Sequence, residues 1–456
     1  VEHNIDRIHI PTNCLDVLAQ QIYGIAISEQ INIKELYALI KNSYCYQTLK
    51  WEEFLEVIDY LSGKYSTLEE RHIYAKIWYD EETGMIGKRG KLARIIYMTN
   101  IGTIPDESFI SVKIGDYIIG KIDENFLEKL KPGDIFVLGG NTYQFKHAKG
   151  MVAYVSTAIG RTPTVPSWVS DMLPLSFDLA MGIQKFRKLM EEKLKKYDKE
   201  EVLKFIQEYL YVDLNTAEAI FNYFYEQYKY LEIPHEKKIL MEHYDEDKKK
   251  YVVFHALYGR KVNEVLSRAV AYAVSKTEKK DLEIGVNDNG FYLSFDKRIN
   301  VTGVLNKIKS KDMDKIMALA IDKTEIIKRR FRHCATRALM ILRTYKGQTK
   351  RVGRQQVSSM ILLSAVRKIS ENFPILKETR REILEDLMDI ENAKNVMKEI
   401  EDGKITIKEV HTNIPSPFAF NLVLQGKMDI MKADDKIEFL KRIHKDVMLK
   451  IKMKGG

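Results

Sequence analysis

The first part of the chain shows apolar residues at helical spacing. One such run predicts a helix over residues 14–27. Asn32 is placed to cap a second helix, IKELYALIKN, and Gly63 to end a third, WEEFLEVIDYLSGK. Three short helices before a partly β segment fit a winged helix. A plain three-helix bundle fits the same periodicity equally well, so both interpretations stay open at this level.

From Tyr74 to Thr157 the pattern changes to alternation of apolar and polar residues. SFISVKIGDYIIGKI, DIFVLGGNTYQFKH and MVAYVST alternate in this way, with Gly-Asp and Gly-Asn turn signals between strands. They predict a small antiparallel sheet or barrel, interrupted by one helix in NFLEKLKPGD. The proline-rich stretch GRTPTVPSWVSDMLPLS that follows is predicted to be a loop.

Helical periodicity dominates the rest of the chain. Two strand pairs interrupt it, KILMEHYDEDKKKYVVFHALY and DLEIGVNDNGFYLSF, and the second turns at residues 287–290. The expected fold class is therefore α+β and multidomain. The predicted parts are a linker (1–13), a winged helix (14–78), a β-rich module with a Pro/Trp loop (79–176) and a mainly α-helical domain with β-hairpins (177–456).

Composition narrows the class of protein. The chain has 456 residues, of which 45% are hydrophobic and 30% charged, as expected for a soluble protein of about two to four domains. No apolar run approaches the roughly 18 residues of a membrane span, so no membrane partner is expected. The three scattered cysteines form neither a disulfide framework nor a zinc motif, which favours the cytoplasm. The net charge of +9 favours a polyanionic partner.

Motifs for catalysis are missing from the sequence. GMIGKRGKL resembles a phosphate loop, but five residues separate Gly84 from Gly90, and Leu92 replaces the hydroxyl residue that binds Mg²⁺. No HExxH pair or GxSxG elbow occurs, and no metal site is expected. His255 lies in the apolar strand YVVFHALY and is predicted to be a core or interdomain histidine, not a metal ligand. We therefore expect no catalytic residue in this chain.

A strongly basic run suggests contact with phosphates. KRRFRHCATRALMILRTYKGQTKRVGR, from Lys328 to Arg354, contains ten Lys or Arg and no acidic residue. On a helical wheel, apolar residues fall on one face and arginines on the other. An all-positive face predicts an anionic partner. The alternative is an interdomain face that pairs with acidic helices such as ETRREILEDLMDIE. The arginines concerned are Arg329, Arg330, Arg332, Arg337 and Arg343.

Two further places suggest nucleic-acid contact. Trp168 lies on the proline-stiffened loop after Arg161, where it could stack on a nucleobase or pack a domain junction. Arg260 and Lys261 follow Gly259 at the start of a predicted helix, where free backbone amides and two cations could meet one phosphate. Alternatively, both residues only increase solubility.

Several motifs together resemble a known family. IPTNCLDVLAQQI, TNIGTIPDE, GRTPTVPSWVSDMLPLSFDLA, FHALYGRKVNEVLSRA and PSPFAFNLVLQG occur in order over nearly the whole chain. They resemble the large helicase-related family of superfamily 2 helicases, in the part C-terminal to the two RecA-like motor domains. The resemblance implies an ATP-dependent helicase that tracks 3′ to 5′ on single-stranded DNA and unwinds DNA–DNA or DNA–RNA duplexes. It also implies base stacking by Trp168.

The chain departs from the family in one respect. No Walker lysine, DExH box or arginine finger occurs in it, so we expect no ATPase activity from this chain alone. The chain begins with Val, which fits a fragment. ATP and Mg²⁺ would then bind to motor domains supplied in cis or in trans. Lys88, Arg89 and Lys91 are expected near phosphates, between the winged helix and the sheet. The alternative is a plain flexible basic turn.

The expected role is therefore single-strand gripping in DNA repair or recombination. Two other classes remain open at this point. One is a winged-helix regulator or annealing protein that works without a motor. The other is a glycosylase-like repair enzyme, for which the sequence singles out no catalytic Asp or Gln.

Overall fold

The structure is a computed structural model, and its architecture is of the predicted α+β class. It describes residues 5–65, 68, 73–106, 109–130, 132–158, 173–246, 249–278, 282–296, 299–322, 324–423 and 433–454. No helix in these parts of the chain combines the length and the apolar character needed to cross a lipid bilayer.

The N-terminal unit is a winged helix. Its third strand pairs with both other strands, since Ile86 lies opposite Ile31 on one side and Tyr79 on the other. This sheet, which helical periodicity could not reveal, excludes the plain three-helix bundle. The elements are α1 (Leu15–Ser28), β1 (Ile31–Asn32), α2 (Ile33–Lys41), α3 (Trp51–Ser62), β2 (Ile77–Asp80) and β3 (Met85–Lys88).

The helix boundaries follow the predicted signals. The Asn32 side chain accepts a hydrogen bond from the backbone N–H of Lys34 at 2.9 Å, which caps α2. Gly63 ends α3 in the left-handed region, with φ of 82°. The hairpin formed by β2 and β3 continues past residue 78, where the sequence placed the end of the winged helix. A fourth helix, α4 (Ala93–Asn100), follows the hairpin.

The β-rich module has its own sheet and its own apolar core. The strand order is β5-β4-β8-β7-β6, and Phe126, Phe136 and Phe145 fill the core. The sheet is mostly antiparallel, as predicted, but β4 and β8 pair in parallel. After β5 the chain forms a helix and three more strands. The last of these, β8, pairs with β4 on the side away from β5. The elements are β4 (Ile110–Ile114), β5 (Tyr117–Ile122), α5 (Glu124–Lys129), β6 (Ile135–Leu138), β7 (Asn141–Lys149) and β8 (Val152–Thr157).

The remainder of the chain is mainly helical, as predicted. Three helices come first and pack around Phe186, Ile206 and Phe224. The rest surrounds a second five-stranded sheet. The helices are α6 (Phe177–Lys196), α7 (Lys199–Leu210), α8 (Leu214–Tyr230), α9 (Arg260–Glu278), α10 (Val301–Leu305), α11 (Met313–Ile321), α12 (Glu325–Arg337), α13 (Val352–Ile369), α14 (Pro374–Arg381), α15 (Ile390–Glu401) and α16 (Ala433–Lys454).

The two predicted strand pairs are confirmed as β9 (Lys238–Glu246) with β10 (Lys249–Phe254), and β11 (Glu283–Asn287) with β12 (Gly290–Phe295). The sequence analysis did not predict the other strands. A mostly exposed edge strand, β15 (Thr406–His411), pairs in parallel with β9. Its side chains gain little from burial, so its hydrophobic pattern is weak. A short hairpin, β13 (Thr344–Tyr345) with β14 (Gln348–Thr349), was also missed.

One apolar core joins the winged helix to the C-terminal helices. It includes Leu18 and Phe54 from the winged helix, Val265 from α9, Phe331 from α12 and Ile405 before β15. Surface that would face water in a separate domain is therefore buried between these two regions. The winged helix and the C-terminal domain form a single structural unit.

A buried carboxylate holds the end of the second sheet together. Glu242 is fully buried and accepts hydrogen bonds from the His255 ring at 2.8 Å, Thr412 Oγ1 at 2.8 Å, and the Ser416 backbone N–H and Oγ at 2.8 and 2.7 Å. Burial by itself raises the pKa of Glu242, but these donors outweigh burial and lower it. His255 is thus a core residue, as predicted.

The substitution Glu242→Gln tests whether these hydrogen bonds stabilise the fold. The amide cannot accept all the hydrogen bonds that the carboxylate accepts, so the free energy of unfolding at pH 7 should fall by about 1–3 kcal/mol. Because folding lowers the pKa of Glu242, its stabilisation is complete above the ordinary pKa of 4.5 and is lost as the pH falls through the folded-state pKa. The difference between variant and wild type should therefore shrink in acid. Urea unfolding at pH 7 and in acid measures it.

Glu192→Gln is the matched control, since Glu192 is exposed on α6. Equal stability of wild type and Glu242→Gln at pH 7 would mean that the hydrogen bonds to Glu242 do not stabilise the fold.

Candidate nucleic-acid interface

The predicted arginine face is buried. Arg329 and Arg332 on α12 are each 1% exposed, and the side chains of Arg330 and Arg337 are only 12% and 14% exposed. The prediction of an exposed, phosphate-binding face is therefore wrong. A guanidinium group removed from water requires an anionic partner, and here carboxylates from distant parts of the chain supply it.

Glu124 links the β-rich module to α12. Its carboxylate lies 2.7 Å from Nη2 of Arg332 and 3.2 Å from Nη1 of Arg329. Arg332 also donates to the backbone oxygen of Asp106 at 3.1 Å. The Asp106 carboxylate in turn accepts a hydrogen bond from Gln355 of α13 at 3.2 Å. The connection between α4 and β4 is thus fixed to α12 and α13.

Arg337 joins the winged helix to the C-terminal domain. Its Nε lies 2.6 Å from the Asp16 carboxylate of α1, and its Nη2 contacts Glu382 after α14. Arg330 lies 3.7 Å from the same glutamate. Burial lowers the pKa of Arg337, but the carboxylates of Asp16 and Glu382 help to outweigh burial and raise that pKa. Glu382 belongs to ETRREILEDLMDIE, so the interdomain alternative describes these residues.

Asp16, Cys334 and Glu382 also bring three potential metal-ligand atoms close together. The Arg337 guanidinium contacts both carboxylates of this cluster and balances their charge. Burial, together with the nearby carboxylates, raises the pKa of the Cys334 thiol well above its usual value. A protonated thiol is a poor metal ligand. We therefore interpret the cluster as part of the ion-pair network.

Three more of the predicted cations, Arg343, Lys261 and Arg260, also have partners within the fold. Arg343 donates to the backbone oxygens of Asn100 and Ile101 at 3.0 and 2.9 Å. Nζ of Lys261 donates to the backbone oxygen of Asp386 at 2.8 Å, and Nε of Arg260 lies 3.8 Å from the Glu264 carboxylate.

The start of α9 is not open to a phosphate. The backbone N–H of Arg260 donates to the Asp288 carboxylate at 2.9 Å, which is the position predicted for the phosphate. The same carboxylate accepts from the N–H of Leu175 at 3.0 Å. The predicted phosphate site at Arg260 and Lys261 is thus already filled by an acidic side chain.

A run of exposed cations lies elsewhere, from the last residue of β3 to the first turn of α4. Lys88, Arg89, Lys91 and Arg94 are all exposed, and none has an ion-pair partner in the part of the chain that the structure describes. We call residues 88–94 the wing-exit strip. GMIGKRGKL thus forms β3 and the start of this strip, and it contains no nucleotide-binding loop. The stretch KRGKLAR contains no acidic residue, which was the sequence signal for Arg94. The sequence analysis missed this residue.

Trp168 and Arg161 lie outside the described residues, so their roles remain predictions. The segments on either side of their loop are held in place. On one side, the Ala158 N–H donates to the Thr142 oxygen at 3.0 Å. On the other, Leu175 is bonded to Asp288, and Ser176 caps α6.

Comparison with known proteins identifies the class. Residues 1–165 match the family described as "Large helicase-related protein, winged helix domain", and residues 233–419 match "DEAD/H associated". These are accessory regions of a helicase. The chain belongs to the large helicase-related family and corresponds to its C-terminal portion.

Relatives of the chain carry helicase names. It is 50% identical to the "ATP-dependent helicase Lhr-Core" of Methanothermobacter thermautotrophicus over 99% of this chain and 53% of the relative. It is 44% identical to "ATP-dependent helicase Lhr-Core protein 2" of Thermococcus barophilus, over 98% of this chain and 52% of the relative. The "Lhr helicase/uracil glycosylase" of Escherichia coli is 26% identical over 94% of this chain and 28% of the relative. The chain thus spans about half the length of the archaeal relatives.

A solved structure has the same fold. The structure titled "Structure of Mycobacterium smegmatis helicase Lhr bound to ssDNA and AMP-PNP" matches with a TM-score of 0.69 and 22% identity. The match covers 92% of this chain and 49% of the other. It supports the α+β fold of this region.

Arg337→Ala tests the interdomain ion pairs. Removing the guanidinium leaves the carboxylates of Asp16 and Glu382 buried without this partner, so the free energy of unfolding should fall by about 3–5 kcal/mol. Urea unfolding measures the loss. Arg354→Ala, which truncates an exposed arginine on α13, is the matched control and should stay near wild type. If the two variants are equally stable, Arg337 does not hold the domains together.

Proposed function

We propose that this chain is the nucleic-acid-binding C-terminal part of an ATP-dependent helicase. It grips the tracking single strand while RecA-like motor domains, in cis or in trans, bind ATP and Mg²⁺ and move 3′ to 5′. The substrates are DNA–DNA or DNA–RNA duplexes, and the role is in DNA repair or recombination in the cytoplasm. The family membership and the helicase names of the relatives support this proposal.

The wing-exit strip is the observation that carries the proposal. Four cations lie within seven residues, and the same stretch contains no acidic residue. They are exposed, whereas the arginines of α12 are neutralised inside the fold. An unneutralised cationic segment gains free energy by replacing the counterions of a phosphate backbone. The strip directly follows the winged-helix hairpin and therefore extends a nucleic-acid-binding type of domain.

The chain by itself should bind without hydrolysing ATP. It has no Walker lysine, and GMIGKRGKL forms strand β3 and the start of the wing-exit strip. Binding and hydrolysis are therefore assigned to different parts of the helicase. ATP hydrolysis becomes measurable only when the motor domains are present.

Charge reversal of the strip tests the proposal. A chain with Lys88→Glu, Arg89→Glu, Lys91→Glu and Arg94→Glu should bind a single-stranded oligonucleotide more weakly, whatever the base sequence. The slope of log K against log salt should flatten by about 0.7 for each phosphate that the variant no longer neutralises. Fluorescence anisotropy at several salt concentrations measures both quantities, and circular dichroism checks the fold.

Lys185→Glu with Lys196→Glu is the control, because both lysines are exposed on α6. Equal affinity and slope in the strip variant and the control would remove the strip from the interface. A wild-type chain that fails to bind single strands at low salt would overturn the proposed function itself.

Trp168 supplies a second prediction, in the protein that carries its motor. If the ring stacks on one base of the tracking strand, Trp168→Ala should lower unwinding far more than ATP hydrolysis, at a cost of about 1–3 kcal/mol. Trp168→Phe keeps an aromatic face and should recover part of the loss. Melting temperature, ATPase and unwinding are measured on the three proteins. A fall in stability together with all activities would mean that Trp168 packs a domain junction.

A further inference from the structure

A second exposed cationic segment lies at the short hairpin between α12 and α13. We call residues 343–354, RTYKGQTKRVGR, the basic hairpin. It contains five cations and no acidic residue. Arg343 turns inward to α4, but Lys346, Arg351 and Arg354 are exposed and have no ion-pair partner among the described residues. This charge is therefore open to a ligand.

The base of the basic hairpin is fixed to the rest of the protein. Buried Asn100, at the end of α4, donates to the Thr344 oxygen at 2.9 Å and accepts from the Thr344 N–H at 3.0 Å. The Lys350 N–H donates to the Arg343 oxygen at 2.7 Å and closes the hairpin. Lys346 and Gly347 form the tip with φ of 49° and 75°, as a tight two-residue turn requires.

An aromatic side chain lies among these cations. Tyr345 is 42% exposed, and the Lys346 ammonium lies 5.5 Å from the centre of its ring. Exposed tyrosine on a fixed backbone offers a flat apolar surface at little cost in conformational entropy. Cations beside such a surface provide the two kinds of contact that an unpaired nucleotide needs, one for its base and one for its phosphate.

We propose that the basic hairpin is a binding site for single-stranded nucleic acid, in which Tyr345 stacks on an unpaired base and Lys346, Arg351 and Arg354 contact the flanking phosphates. A duplex presents no free base face to the ring, and a purely ionic ligand would use the cations alone. The exposed ring together with uncompensated charge therefore favours the single strand. The site rests on the proposed function and adds a second contact to the wing-exit strip.

α4 gives a physical connection between the two surfaces. Arg94, in its first turn, belongs to the wing-exit strip, and Asn100, at its last residue, holds the hairpin. At about 1.5 Å per residue, the helix separates its two ends by roughly 10 Å, or a few nucleotides of a single strand. One strand can therefore contact both surfaces.

The test separates stacking from charge by using two strands of equal length, an oligothymidylate and the same strand with abasic sites. Tyr345→Ala in the full chain should weaken binding to the oligothymidylate by about fivefold or more, the lower end of one stacked base. It should leave the abasic strand unaffected, because that strand has no base to stack. Tyr345→Phe should keep most of the wild-type affinity. Tyr44→Ala, at another exposed tyrosine, is the control.

The charge arm uses Lys346→Glu, Arg351→Glu and Arg354→Glu together. This variant should weaken binding to both strands and flatten the salt dependence, whereas Lys185→Glu with Lys196→Glu should not. If Tyr345→Ala has no effect, or an equal effect on both strands, the ring takes no base and the site is overturned. If the wild-type chain binds neither strand, the proposed function fails as well. Loss of binding confined to the wing-exit strip variant would overturn the hairpin site alone.

Discussion

The contact of Arg337 with Asp16 and Glu382 is the constraint on which the domain arrangement depends. Asp16 lies on the first helix of the winged helix, Glu382 follows α14, and Arg337 ends α12 between them. These charges are shielded from water, so each is stable there only with the others in place. The shared apolar core includes Leu15 beside Asp16 and Ala338 beside Arg337. The winged helix and the C-terminal domain are therefore joined by ion pairs and by apolar contacts.

The same network decides which cations remain for a partner. Arg329, Arg332 and Arg337 are paired with carboxylates inside the fold and add little to the external potential. The exposed, unpaired cations among the described residues include those of the wing-exit strip and the basic hairpin, at the two ends of α4. The wing-exit strip and the basic hairpin thus place positive charge suited to a phosphate backbone at the two ends of α4.

The β-rich module occupies a defined place in this arrangement. Its own core folds its sheet, while Glu124 and Asp106 attach it to α12 and α13. The chain leaves the module after Ala158 and is held again at Leu175 by Asp288. The segment that carries Trp168 therefore connects two regions fixed on a common scaffold.

The sequence by itself determined what depends on near neighbours. The first three helices with the Asn32 cap and the Gly63 stop, the two strand pairs and the family motifs all follow from local spacing and turn chemistry. The tertiary structure alone decided the pairing of Ile31 with Ile86, the edge strand β15 and the environment of the arginines. Arg332 meets a carboxylate 208 residues away, and Arg337 one 321 residues away. A helical wheel shows that a face is charged, but it cannot show which distant segment covers that face.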